Sequence, residues 1–269
     1  MAAAPSRGPR SHDPNITVIQ QELFDERRSK VAKYRDLVVG RPGWGALLAF
    51  ETVTLLSSWV PGALGLFLRA RLYPLVLGRV GRNVVFGVNV TLRHPHKIAI
   101  GDNVVIDDQC CLDAKGTDNR GIVIGQGVFV GRNTILSCKN GDILLEDRAN
   151  LGFNCEIFSA ATVRVGADVL MAAYTYLVGG DHLYDRTDVP VLQQGRTARG
   201  IDIGPGAWLG AHVVVTDGST VGRDAIVGAG AVVVGAIPDF AIAVGTPAKA
   251  IRDRRTPGPE PRVPSPGEA

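Results

Sequence analysis

Of the five histidines, His182 has the setting best suited to moving a proton. It lies in Gly179-Gly180-Asp181-His182-Leu183-Tyr184-Asp185, one imidazole among two carboxyl groups and a phenol. An imidazole with an ordinary pKa of ~6.5 can take a proton from a hydroxyl at neutral pH, and it can equally serve its own loop as a hydrogen-bond partner. Asp181 can orient that ring, hold an acceptor or close a corner with a hydrogen bond. Tyr184 and Asp185 open the segment that follows and are candidates for touching an acceptor. His94 and His96, on either side of Pro95, and His212 read as structural or solvated. No H-x4-H pair is present, and no metal site is expected.

The four cysteines, Cys110, Cys111, Cys138 and Cys155, have no C-x-x-C spacing, and reduced core thiols are expected. A net charge of +3 with scattered basic residues is too weak to argue for nucleic acid. Met1–Asn15 lacks the apolar core of a secretory signal, so the expected location is cytoplasmic, at most peripheral to the inner face of a membrane.

The elements that must position these residues follow from a period of six. From Ile203 every sixth residue is aliphatic: Ile203, Leu209, Val215, Val221, Val227 and Val233. Earlier triplets keep the step: Val80, Phe86, Leu92; Ile100, Ile106, Leu112; Ile124, Val130, Leu136; Leu145, Leu151, Ile157; Val165, Met171, Leu177. Neither a helix nor a simple strand repeats every six residues, whereas a short strand plus a corner does. Glycine often follows the aliphatic residue (Gly204, Gly210, Gly222, Gly228) and is expected to serve the tight corner. A small side chain four places on (Ala207, Ser219, Ala225, Ala231) is expected to point inward, a position that Cys110, Cys155 and Asp181 share. Three hexads per turn make a triangular parallel coil, and about seven such turns at the ~4.8 Å strand spacing make a column ~34 Å long.

The block starts at 80, 100, 124, 145, 165 and 203 leave short extras at most corners and one long excess, read as a protruding loop over 183–202. The expected organisation is a disordered 1–14, a helical region 15–79, an all-β body 80–252 and a disordered Pro-rich tail 253–269. Asn15–Val39 reads as one amphipathic helix, capped by Asn15 and stopped by Gly40. Trp44–Leu77 is strongly apolar, but Glu51 and Pro61-Gly62 make two short helices a better reading than a membrane span. Those helices are expected to cap the column, to meet another subunit, or to lie on a membrane with Arg69, Arg71 and Arg79 at the headgroups. The final segment 239–252 is expected to fold back over the other end.

The repeats, together with GGDHLYDRTDVPVLQQG, the W-[IL]-G hexad at Trp208 and the ending Pro247-Ala248-Lys249-Ala250-Ile251-Arg252, resemble the hexapeptide-repeat acyltransferases of the maltose and galactoside O-acetyltransferase type. The resemblance spans the repeats from Val80 and is most specific over 163–252. Residues 1–79 resemble capsule polysaccharide O-acetyltransferases only loosely. It implies a left-handed parallel β-helix, acetyl-coenzyme A as donor, a saccharide acceptor and a homotrimer with sites between columns. By the same resemblance His182 is the general base. Trp208 lies near the pantetheine arm or in the core, and Gly210, Ala211, Gly228 and Ala229 line the coenzyme groove. Lys249 and Arg252 approach the coenzyme phosphates or form a solvated basic end. Asn154, retained from the family pattern, joins Asp181, Tyr184 and Asp185 at the acceptor, while Gly152 and Ser159 depart from that pattern. An amine acceptor, a longer acyl donor or a membrane-surface scaffold are the alternative readings.

Overall fold

The computed structural model describes residues 27–256. The segment 1–14, the Asn15 cap and all but the first residues of the tail lie outside them. The body is a parallel β-helix with three faces, the left-handed class expected. The first face has eight parallel strands, from Arg79–Val80 to Ala236–Ile237; the third has seven, from Thr91–Arg93 to Val232–Val233. The second has eight parallel strands, from Val85–Phe86 to Ala241–Val244, and a ninth, Lys249–Asp253, added antiparallel.

Pairing follows the period. Ile100, Ile124, Leu145, Val165, Ile203 and Val221 stack in one register on the first face. All the period-six residues are buried except Val80, on the first, half-covered coil. Burying each Leu, Ile or Val contributes ~1.5–3 kcal/mol, so a charged residue anywhere in these ladders would break a coil. Ala207, Ser219, Ala225, Ala231, Cys110 and Cys155 also point inward. Burial pushes the Cys110 and Cys138 thiols up to about 12 and raises Cys111 and Cys155, leaving four protonated thiols.

The corners are not made by the glycines that follow the aliphatic residue. The positive φ falls two places later, at Asn83, Asn103, Asn133, Asn154, Gly206 and Gly230 among others, which is why Asn and Gly recur there. Gly222 is required by close coil stacking: a Cβ on it would lie 2.3 Å from the amide nitrogen of Asp239. Corner carboxylates tie coils together, Asp102 accepting from the Arg82 amide at 2.8 Å and Asp239 from that of Arg223 at 2.8 Å.

The winding continues past the expected seven turns. Ile237 and Ala243 point inward and add two faces of an eighth coil; Val233 to Ile237 is a step of four, which hides them from a search at period six. The chain then turns back through the antiparallel strand Lys249–Asp253, one residue into the expected tail.

At the other end lie α1 (Lys30–Tyr34), α2 (Trp44–Ser57) and α3 (Gly62–Leu72). Within the described residues, Ser29 caps α1, which widens after Tyr34 into a turn closed by Gly40 N–H to Arg35 C=O at 2.8 Å. Gly40 ends it with φ of 71°. Leu47, Phe50 and Val53 of α2 join Tyr73 and Phe86 in the core. Arg69 is not at a surface. It is 1% exposed and donates to the carbonyls of Phe86, Ser57 and Val60 at 2.8, 3.0 and 2.7 Å, binding α3 and the end of α2 to the first coil.

Candidate active site

His182 is placed by the one long interruption of the winding. Tyr176–Gly179 forms the third face of the fifth coil, and Gly179-Gly180 then let the chain leave it close to the preceding coil; a Cβ on Gly180 would lie 2.7 Å from that of Ala160. Asp181–His182 pairs antiparallel with Arg196–Thr197, so the expected loop is a hairpin closed at its base, and Ile201–Ile203 already belongs to the next strand. Inside it Gln194 bridges Arg186 and Val189, its Nε2 donating to their carbonyls at 2.6 and 3.0 Å. The returning strand is held by Asp217, whose carboxylate is almost fully buried and accepts from the amides of Arg199 and Gly200 at 2.8 Å each.

The ring of His182 is half-buried, and its Nδ1 is buried without a hydrogen-bond partner. Asp181 does not orient that ring and does not point inward: it is exposed and accepts from the His182 backbone amide at 2.7 Å. Leaving the column for the hairpin turns its side chain out of the hexad pattern. Tyr184 and Asp185 are exposed on the outward arm of the hairpin. Lys139 stands two coils earlier at the same corner, in line with Ala160 and Gly180. Burial and then Lys115 hold its ammonium below the usual lysine range.

The second group of candidates gathers around the second face. Trp208 is not core. It is 47% exposed in an outward column that runs Leu170, Trp208, Ile226, Ile242, with Arg252 paired to Ile242 at the end. Lys249 pairs with Val244 on the same closing strand. The corner beside this column carries Ala211 and Ala229, so the surface there is low. Gly210 and Gly228 are fixed by packing, since a Cβ would meet the Ala229 amide at 2.6 Å and the Val244 side chain at 2.8 Å.

Asn154 lies on this corner too, with φ of 55°. Above it the same position holds Tyr174 and His212, at φ of 63° and 59°, whose rings stack 4.8 Å apart. Phe153 meets Tyr174 edge-on at 6.1 Å, and Arg132 covers Phe153 at 4.7 Å. The expectation for His212, structural or solvated, named no stacking partner. The signal was available: two bulky rings in successive coils occupy a left-handed position that Asn, Asp or Gly fills at most corners.

The structure therefore places the candidate residues in two separate groups. Trp208, Ala211, Ala229, Lys249, Arg252 and Asn154 share the second face and its far corner, whereas Asp181, His182, Tyr184 and Asp185 share the next corner. The third face lies between them, five or six residues at ~3.3 Å each. Among the described residues no three His, Cys, Asp or Glu side chains converge as a metal site.

The fold is a three-faced parallel β-helix built on a six-residue repeat, and parts of that repeat match a known family model. The family model described as the hexapeptide repeat of succinyl-transferase matches residues 79–107 and 200–234. The chain is 37% identical over 132 residues to a probable acetyltransferase of Mycobacterium tuberculosis, covering 49% of this chain and 44% of that one. It is 34% identical over 106 residues to the galactoside O-acetyltransferase of Escherichia coli, covering 38% and 49%. A putative lipopolysaccharide biosynthesis O-acetyltransferase of Escherichia coli is 29% identical over 119 residues, covering 42% and 61%. The chain thus spans about half the length of the curated relatives it matches. Among solved structures, a variant of AntD, an N-acyltransferase of Bacillus cereus, superposes with a TM-score of 0.51 at 20% identity over 75% of this chain and 92% of that one, which bears on the fold.

Proposed function

We propose that this protein is an acetyl-coenzyme A-dependent O-acetyltransferase acting on a saccharide hydroxyl of the capsule, polysaccharide or glycoconjugate kind. The observation that carries this reading is the hairpin that lifts one imidazole, with Nδ1 unpaired, off an otherwise regular column. The curated relatives, among them a galactoside O-acetyltransferase, support the acetyl transfer.

In the proposed reaction the acceptor oxygen attacks the thioester carbonyl while His182 takes its proton. The tetrahedral intermediate expels the coenzyme A thiolate, and the imidazolium returns the proton to sulfur. Four thiols held protonated by burial argue for direct transfer over an acyl-cysteine intermediate. Trp208 flanks the pantetheine arm, and Lys249 and Arg252 meet the coenzyme phosphates by charge-assisted contacts. Asn154 with Tyr184 and Asp185 contacts the acceptor, and Asp181 braces the turn that carries His182.

Two half-sites a face apart converge when a second copy sets its low corner against the first copy's hairpin. This supports a homotrimer of columns. The test is release of coenzyme A from acetyl-coenzyme A against neutral sugars, acidic sugars and amino sugars. Turnover with hydroxyl acceptors supports the reading; turnover confined to amino sugars moves it to N-acylation, which the fold relative AntD catalyses. No turnover and no coenzyme A binding would overturn it.

A further inference from the structure

We infer that the α2–α3 end of the column docks on an anionic lipid surface, lying on it and not crossing it. This goes beyond the transfer reaction and stands independently of it.

Helix α2 is apolar on its inner side and, apart from Glu51 and Thr52, on its outer side as well. Its inner side, Leu47, Phe50 and Val53, is buried on the first coil. Its outer side presents Trp44, Leu48, Leu55 and Leu56, and Trp59 just beyond its end, all 52–69% exposed. A helix apolar all round is normally covered all round. Packed against it, α3 adds Leu64 and Phe67 at 63% and 57% exposed, and Leu75 follows at 70%. Scattered exposed apolar residues need no explanation, but a group of this size on two adjoining helices marks an interaction surface.

Charge chooses the occupant. Residues 27–82 carry ten Arg and Lys against two acids, Asp36 and Glu51, while the whole chain carries only +3. The excess is therefore concentrated at this end. Arg41, Arg71 and Arg79 are exposed; Arg79 acts on Asp102, and Arg71 rests on the Phe67 ring at 5.3 Å. Glu51 accepts the Tyr34 hydroxyl at 2.6 Å, and Asp36 is paired with Arg28 and Arg35. A second copy of this face would bring like charges together, whereas an anionic bilayer complements them. Indole rings at both ends of an apolar stripe, with arginines beside it, match the chemistry of the headgroup boundary. No helix among the described residues is long and apolar enough to cross a membrane.

The test is co-flotation of the full chain with vesicles of pure phosphatidylcholine or of phosphatidylcholine containing phosphatidylglycerol. Binding is expected only with phosphatidylglycerol, weakening at least tenfold in high salt and blue-shifting the tryptophan emission. Leu48→Glu with Leu55→Glu, and separately Arg71→Gln with Arg79→Gln, should each lower partitioning about tenfold. Both pairs sit on the outer surface and should keep the melting temperature, which controls for misfolding. Vesicle binding unchanged by either pair would overturn the inference. So would absence of vesicle binding, whether 1–26 covers the face or concentration-dependent self-association, lost on Leu48→Glu with Leu55→Glu, shows a second copy there.

Discussion

Tyr174 and His212 stack nearly parallel, 6° between ring planes, across adjacent coils at the corner that also carries Asn154. Each ring stands on a left-handed residue, which costs on the order of 1 kcal/mol, and the stack returns about 0.5–1.5 kcal/mol. For one ring set against the stack, the two nearly cancel. His212→Asn should therefore leave the melting temperature almost unchanged while raising the KM of coenzyme or acceptor severalfold. A large loss of stability with unchanged KM would make the column purely structural.

Removing the imidazole should separate chemistry from folding. His182→Ala is expected to lower kcat by ~10²-fold or more, with the circular dichroism spectrum and coenzyme A binding retained, because its Nδ1 forms no hydrogen bond in the fold. Trp208→Ala should act in the other direction, raising the coenzyme KM with a smaller effect on kcat.

Acid should loosen the helical end first. Burial, then Arg41, pushes His96 down to about 4, and burial also lowers His94, whose Nε2 meets the Asp36 carbonyl at 2.9 Å. The fold thus favours the neutral rings, and the unfolded chain binds protons at a higher pH. The stability this supplies is present above ~6.5 and is lost as pH falls from there to about 4. Calorimetry across that window should show a falling melting temperature, and His96→Gln should flatten the slope.

Asp217 fixes the return of the hairpin, and Asp217→Ala strands the amides of Arg199 and Gly200. Leaving buried donors unmet costs ~1–3 kcal/mol. The expected result is faster hydrogen exchange over 196–200 and reduced kcat, with the coils below intact. Unchanged exchange would show that the hairpin is held elsewhere.

Much of this was legible in the chain because a coil is a local object. One aliphatic residue every six fixes what points inward, so the ladders from Phe86 to Val233 fall where the period puts them. Ile237 and Ala243 escaped because a corner shortened by two residues breaks the phase. Arg69 misled for a different reason: charge suggests a surface, but two carbonyls at the end of α2 and one in the first coil offered it a buried place. Asp181 kept the register in sequence yet left it in space, since a hairpin obeys antiparallel pairing and not the hexad. The separation of His182 from Trp208 was not legible, because which corner a residue occupies depends on every extra residue in the coils before it.

The strand Lys249–Asp253 runs against the winding. It covers the last parallel edge of the second face and brings Lys249, Arg252 and the neighbouring Arg254 and Arg255 to that tip. A strand arriving at this tip of the second face thus meets an edge that is already covered and positively charged, which disfavours pairing end to end there.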